Sequence, residues 1–174
     1  EIGAARPEID FGDMVVMPGL VDSHVHVNEP GRSEWEGFST ATRAAAAGGT
    51  TTIVDMPLNS IPPTISVDAL SKKRAAAEGK LRVAVAFWGG LIPGSQDQIG
   101  PLVAEGVSGF KSFLVDSGVD EFPSVSPEQL ARALPVMREL GVPSLVHAED
   151  PARILGLSGD PTLYRSYLDS RPAD

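Results

Sequence analysis

Five short runs rich in apolar and β-branched residues, Leu20 to Val27, Thr50 to Met56, Leu81 to Phe87, Gly109 to Val115 and Ser144 to Ala148, punctuate the chain. They recur roughly every 30 residues, the length of one βα unit. Intervals of that length hold crossovers rather than hairpins, so the strands are expected to run parallel, joined right-handedly and covered by helices. The helices have readable ends. Trp35, Phe38, Thr42 and Ala45 share one face of a first helix that Gly48-Gly49 stops. Ser66 caps a second, with Val67 and Leu70 inward and an end near Gly79. Ser95 with Gln98, and Ser126 with Gln129, fit the capping box and start helices three and four. In helix four Pro127 occupies the first turn, Leu130, Leu134, Met137 and Leu140 face inward, and Gly141 ends it. Pro101 and Pro135 remove backbone donors inside helices three and four, which predicts a kink or a break at each.

This α/β pattern fits two architectures: a doubly wound open sheet complete with five strands, or a (β/α)8 barrel left open after five. Residues 1–14 read as a tail or the remnant of a preceding domain, and residues 15–174 as one unit. Leu163, Tyr164, Tyr167 and Leu168 have helix-like spacing, with no strand after them.

Covering both faces of a parallel sheet needs apolar mass, and 42% hydrophobic residues in 174 supply it. The net charge of −9, with no run of Lys or Arg, repels phosphate backbones and anionic headgroups, so neither nucleic acid nor membrane is an expected partner. With no cysteine, any metal must be held by His, carboxylate or a less usual group. The chain opens on Glu1-Ile2-Gly3, without an initiator Met or a basic and then apolar leader. It is expected to be a cytoplasmic piece of a longer protein.

His24 and His26 alternate along the first strand, so both imidazoles leave one face at its C-terminal end. The third and last histidine, His147, ends the fifth strand. In a parallel α/β fold the C-terminal strand ends share the ligand-binding side, so the three should meet there. Lys111 interrupts the otherwise apolar fourth run, where burial disfavours an ammonium. Two readings stay open: its head reaches water at the strand end, or a neutral amine there adds carbon dioxide to give a carbamate. Asp22, Asp55 and Glu149 are expected to act as polar partners rather than ligands, and Arg32 to pair with Glu36 four residues on.

These blocks resemble the metal-dependent amidohydrolase superfamily, in its cyclic-amidase branch of dihydroorotases, dihydropyrimidinases and allantoinases. The carriers are Pro18 to His26, Gly48 to Pro57, Gly109-Phe110-Lys111 and Val146 to Glu149. The resemblance implies the first five βα units of a TIM-like (β/α)8 barrel, incomplete in this chain. It implies that His24 and His26 bind one divalent ion, that a carboxylated Lys111 bridges two, and that His147 binds the second. Zinc suits that set, with iron, cobalt or manganese open on the same ligands. A further histidine and a proton-shuttling aspartate would come from beyond residue 174, so this chain alone is expected to be inactive.

Within the branch, dihydroorotases carry an arginine two residues after the second histidine, where this chain has Asn28. Dihydropyrimidinases carry a tyrosine shortly after the lysine, and Phe113 to Pro123 contains none. The runs Asn28 to Arg32, Met56 to Asn59 and Asp116 to Phe122 look like the allantoinases. That resemblance implies hydrolysis of the cyclic amide of allantoin to allantoate by the parent protein, as a homotetramer, with the amides of Asn28 and Asn59 binding the substrate. The alternatives are a dihydropyrimidinase, hydantoinase or dihydroorotase activity, a non-catalytic scaffold with the same fold, or a complete five-stranded ligand-binding domain.

Overall fold

The computed structural model describes residues 8–171. Its strands are β1 (Leu20–Val25), β2 (Thr50–Asp55), β3 (Ala84–Phe87), β4 (Gly89–Gly90), β5 (Phe110–Phe113) and β6 (Ser144–His147). The third run yields β3 from Ala84 onward, and a short further strand, β4, follows it after Trp88. There the main-chain N–H turns to Asp55 O at 2.9 Å and the indole Nε1–H donates to Ser23 O at 2.9 Å. As a result β3 pairs with β2 while β4 pairs with β5, all in parallel. The neighbours run β1-β2-β3 and then β4-β5-β6, in sequence order without reversal. A doubly wound sheet reverses its order at a switch point, so this succession is that of a barrel wall.

Alternate strand positions divide between two clusters, as a period of two requires. Ile53, Phe87 and Phe110 pack under the helices with Val27, Phe38, Leu70, Leu102 and Met137. Val54 and Trp88 gather on the other face with Met56 and Phe122, and Ala86, Phe113 and Leu145 pack against them.

The helices are α1 (Phe38–Ala47), α2 (Val67–Ala77), α3 (Ile99–Ala104), α4 (Pro127–Glu139) and α5 (Tyr164–Asp169). α1 starts later than the spacing of Trp35 implied, and Trp35 lies in the preceding turn, 61% exposed. Two carboxylates close that end instead: Phe38 N–H donates to Glu29 Oε2 and Gly37 N–H to Glu36 Oε1. Ser66 caps α2 as expected, accepting from Ala69 N–H. The Ser95–Gln98 box does not form. Ser95 Oγ instead accepts from Ile92 N–H, a short 3-10 turn spans Gln96–Gln98, and α3 begins only at Ile99. Pro101 therefore falls in the first turn, where a missing N–H costs nothing. The Ser126–Gln129 box forms in both directions, and α4 runs unbroken through Pro135. Its inward residues include Ala133 and Met137, whereas Leu134 and Leu140 face outward, contrary to the spacing argument. Ser126→Ala, which removes one side of that box, is expected to cost about 1 kcal/mol in denaturant unfolding.

Residues 8–19 precede β1 with exposed side chains, and residues 1–7 of the expected tail lie outside the described residues. No described helix is long and apolar enough to cross a membrane.

Candidate functional site

β1 delivers its two histidines where its pairing with β2 becomes irregular, between Asp22 and Val25. The imidazole centroids of His24 and His26 lie 5.4 Å apart. Val25 packs on the helix side, so alternation turns His24 and His26, which flank it, to the opposite face. Directly after His26 the chain is anchored, because Val27 N–H donates to Asp55 Oδ1 at 2.7 Å. The other oxygen of Asp55 accepts from Lys73 Nζ at 2.6 Å, Lys73 also reaches Met56 O, and both side chains of the pair are wholly buried. Burial pushes Asp55 up to about 6, against the opposing pull of Lys73. Both oxygens of Asp55 are thus engaged, one by Val27 N–H and the other by Lys73. Lys73 was not anticipated. Its signal is position: with Ala69, Leu70 and Ala77 it falls on the inward stripe of α2.

Burial first, and then the charges of His24, Lys111 and Lys73, hold His26 below the usual histidine range. A neutral imidazole keeps a lone pair free. Asn59 stands beside it, with its amide nitrogen 3.4 Å from His26 Nδ1. Asn59 takes φ of +72°, a left-handed conformation that Asn tolerates better than most residues. Asn28 is buried and its Oδ1 has no hydrogen-bond partner among the described residues. Asp22 does not orient the His24 ring; its carboxylate accepts the His24 main-chain N–H, a local turn contact.

Lys111 lies on β5 between Gly90 of β4 and Leu145 of β6, and is 6% exposed. Its Nζ sits 4.6 Å from the centre of the Phe113 ring, and among the described residues it forms no ion pair. Burial lowers its pKa. His147, paired in register with Phe113, stacks on that ring at 5.2 Å. His147 Nε2 is within 2.9 Å of Glu149 Oε2, and Arg171 Nε holds the other oxygen of Glu149 at 2.6 Å. Lys111, Phe113, Leu145 and His147 share strand parity, so they belong to the face that carries His24 and His26. The described residues nevertheless include no cluster of three His, Cys, Asp or Glu side chains able to hold a metal.

The expected Arg32–Glu36 pair is replaced. Because helix α1 begins only at Phe38, the two are not one helical turn apart, and Glu36 bonds Gly37 and Thr40 instead. Arg32 reaches across to Glu121 Oε1 at 3.0 Å and donates through Nη1 to Asn59 O at 2.9 Å.

The parallel wall carries paired imidazoles and a buried lysine on one face, and the chain belongs to the amidohydrolase family, whose model matches residues 15–158. It is 54% identical over 167 residues to the mitochondrial allantoinase of Aquarana catesbeiana, which covers 95% of this chain and 34% of that protein. It is 52% identical over 176 residues to the allantoinase of Streptomyces avermitilis, with 100% and 39% covered. Among solved structures it is similar to the L-hydantoinase (dihydropyrimidinase) from Arthrobacter aurescens, with a TM-score of 0.78 and 32% identity over 90% of this chain and 36% of that one. The chain thus spans about a third of the length of these curated relatives.

Proposed function

We propose that the protein to which this chain belongs hydrolyses the ring amide of allantoin to allantoate. The observation that carries this reading is the polar inventory beside His26. Asn59 stands at the imidazole, and Asn28, two residues after His26 in the chain, has a buried oxygen with no partner among the described residues, while the guanidinium of Arg32 is already taken by Glu121 and Asn59 O. Carboxamides offer both donors and acceptors, which suits a neutral ureido ring, and an engaged arginine leaves no clamp for a substrate carboxylate such as that of dihydroorotate. Half-identity to two proteins named allantoinases supports the same choice.

In this reading residues 15–174 are the first five βα units of a (β/α)8 barrel, and residues 1–14 belong to what precedes it. The coverage of about a third of each relative and the family match starting at residue 15 support that division. His24, His26, Lys111 and His147 would hold two divalent ions, zinc above iron, cobalt or manganese, with Lys111 carboxylated. The donor chemistry fits: burial and the neighbouring charges favour the neutral form of His26, and burial lowers the pKa of Lys111, which favours the amine that can take up carbon dioxide. Bound divalent ions would polarise the ring carbonyl and stabilise the charge that develops on it. The chain's own residues position this chemistry. Asp55 and Lys73 fix the main chain at Val27, Glu149 orients His147, and Asn28 and Asn59 offer hydrogen bonds to the ring. A homotetramer in the cytoplasm completes the reading, although one relative is named as mitochondrial.

The test is turnover by the full-length protein. Allantoin is expected to be opened in preference to hydantoin, dihydrouracil and dihydroorotate; good turnover of hydantoin or dihydrouracil with none of allantoin would move the protein to the neighbouring branch. Elemental analysis is expected to find stoichiometric metal, and finding none would favour a non-catalytic scaffold.

A further inference from the structure

We propose that Arg32 is a positioning residue that ties three loops together and, through the main chain of Asn59, sets the Asn59 amide against the His26 imidazole. This rests on the reading of His26 as part of the site.

The loops are those after β1 (residues 26–37), after β2 (residues 56–66) and after β5 (residues 114–126). The first two already interlock without Arg32. Ile61 N–H donates to Pro30 O at 2.8 Å, and Gly31, at φ +99°, lies so close that an added Cβ would fall 2.6 Å from Ile61 Cβ. The third loop is joined to them by Arg32, whose Nη2 lies 3.0 and 3.2 Å from the two oxygens of Glu121. Both side chains are partly buried, at 19% and 35% exposed, so solvent screens the pair less than it would a surface pair. Trp35 stacks over the guanidinium at 5.1 Å and restricts its plane.

The second arm of the fork carries the consequence. Arg32 Nη1 donates to Asn59 O at 2.9 Å, and Asn59 is the one non-glycine residue with positive φ among the described residues. That conformation is disfavoured for an ordinary L-residue and is held where the surroundings support it. It turns the Asn59 amide to within 3.4 Å of His26 Nδ1. The amide nitrogen faces Nδ1 there, and a half-turn of the amide would bring its oxygen to the same place; in either orientation the amide favours one tautomer of His26. Arg32 therefore acts on His26 through Asn59, its two terminal nitrogens dividing between Glu121 and Asn59 O.

A double-mutant cycle on the full-length enzyme tests this. Arg32→Gln breaks the clamp. Asn59→Gly removes the amide while leaving the left-handed backbone unstrained, which alanine would not. Each single change is expected to lower kcat/KM for allantoin about 10–100-fold, the range for residues that orient a ligand histidine. The double variant is expected to be no worse than the poorer single one, because whatever Arg32 does at the site runs through the Asn59 amide. Effects that multiply, or an Arg32→Gln enzyme with unchanged kcat/KM, would overturn the proposal. If Arg32→Gln does not fold, Glu121→Gln takes its place in the cycle, with a smaller loss and the same non-additivity expected. If the wild-type protein is inactive on allantoin, the proposed activity has failed, and the cycle is then read in zinc affinity by chelator competition, where the same two patterns decide the role of Arg32.

Discussion

Lys73→Met is expected to destabilise the full-length protein by about 3–5 kcal/mol, the cost of leaving a buried charge without its partner. The wild-type pair is 2.6 Å apart with neither side chain exposed, and burial alone drives Asp55 towards its neutral form. Removing the ammonium removes the one strong force opposing that drive. Asp55 then either stays charged in an apolar setting or takes up a proton, and protonation weakens it as the acceptor for Val27 N–H. Val27 adjoins His26, so the loosened anchor is expected to lower metal content as well as melting temperature. Lys73→Met combined with Asp55→Asn keeps an oxygen for Val27 and leaves no net charge, and should recover most of the loss. A Lys73→Met single variant that melts within a few degrees of wild type and keeps its metal would show that the pair anchors nothing.

The Lys73–Asp55 pair also shows where sequence reasoning reaches its limit. The strands were legible because apolar, β-branched runs at a 30-residue spacing admit few alternatives, and strand parity then turns His24, His26, Lys111 and His147 to one face. Local signals were read correctly where the pairing is short-range, as in the Ser126–Gln129 box and the Ser66 cap. They failed where a distant group outbid them. Glu29 caps α1 from nine residues away and leaves Trp35 outside the helix, and Glu121 takes Arg32 from Glu36 across 89 residues. No periodicity encodes such contacts, since each depends on which loops the barrel wall brings together. The break at Trp88 is of the same kind, because its indole bonds a carbonyl of β1, 65 residues earlier. Lys73 lay in between: its place on an apolar stripe was visible, but its partner was not.

Lys111→Ala is expected to abolish metal binding and activity together in the full-length enzyme, and acetate or propionate is expected to restore part of both. The side chain is 6% exposed on the central strand of a three-strand wall, against the Phe113 ring, and its pKa is lowered by burial. A lysine whose head reached bulk water would keep its charge, and losing it would bring modest destabilisation with metal retained. A buried amine is different. Its nitrogen lone pair can form a bond to the carbon of carbon dioxide as one N–H proton leaves to solvent, giving an anionic carbamate with two oxygens where β5 faces β6. Truncation to alanine removes that anion and opens space beside Phe113 that a short carboxylate can enter, which is why rescue should decline from propionate to longer acids. In the isolated 174-residue chain the same lysine is expected to be unmodified, because the described residues include no cluster of three His, Cys, Asp or Glu side chains able to hold a metal, and a carbamate without a metal readily loses its carbon dioxide. Intact mass separates the two states: an added carbon dioxide on the full-length metal-loaded protein and none on the short chain is the expected pair of results. Full metal content in Lys111→Ala would instead leave Lys111 as a buried structural amine.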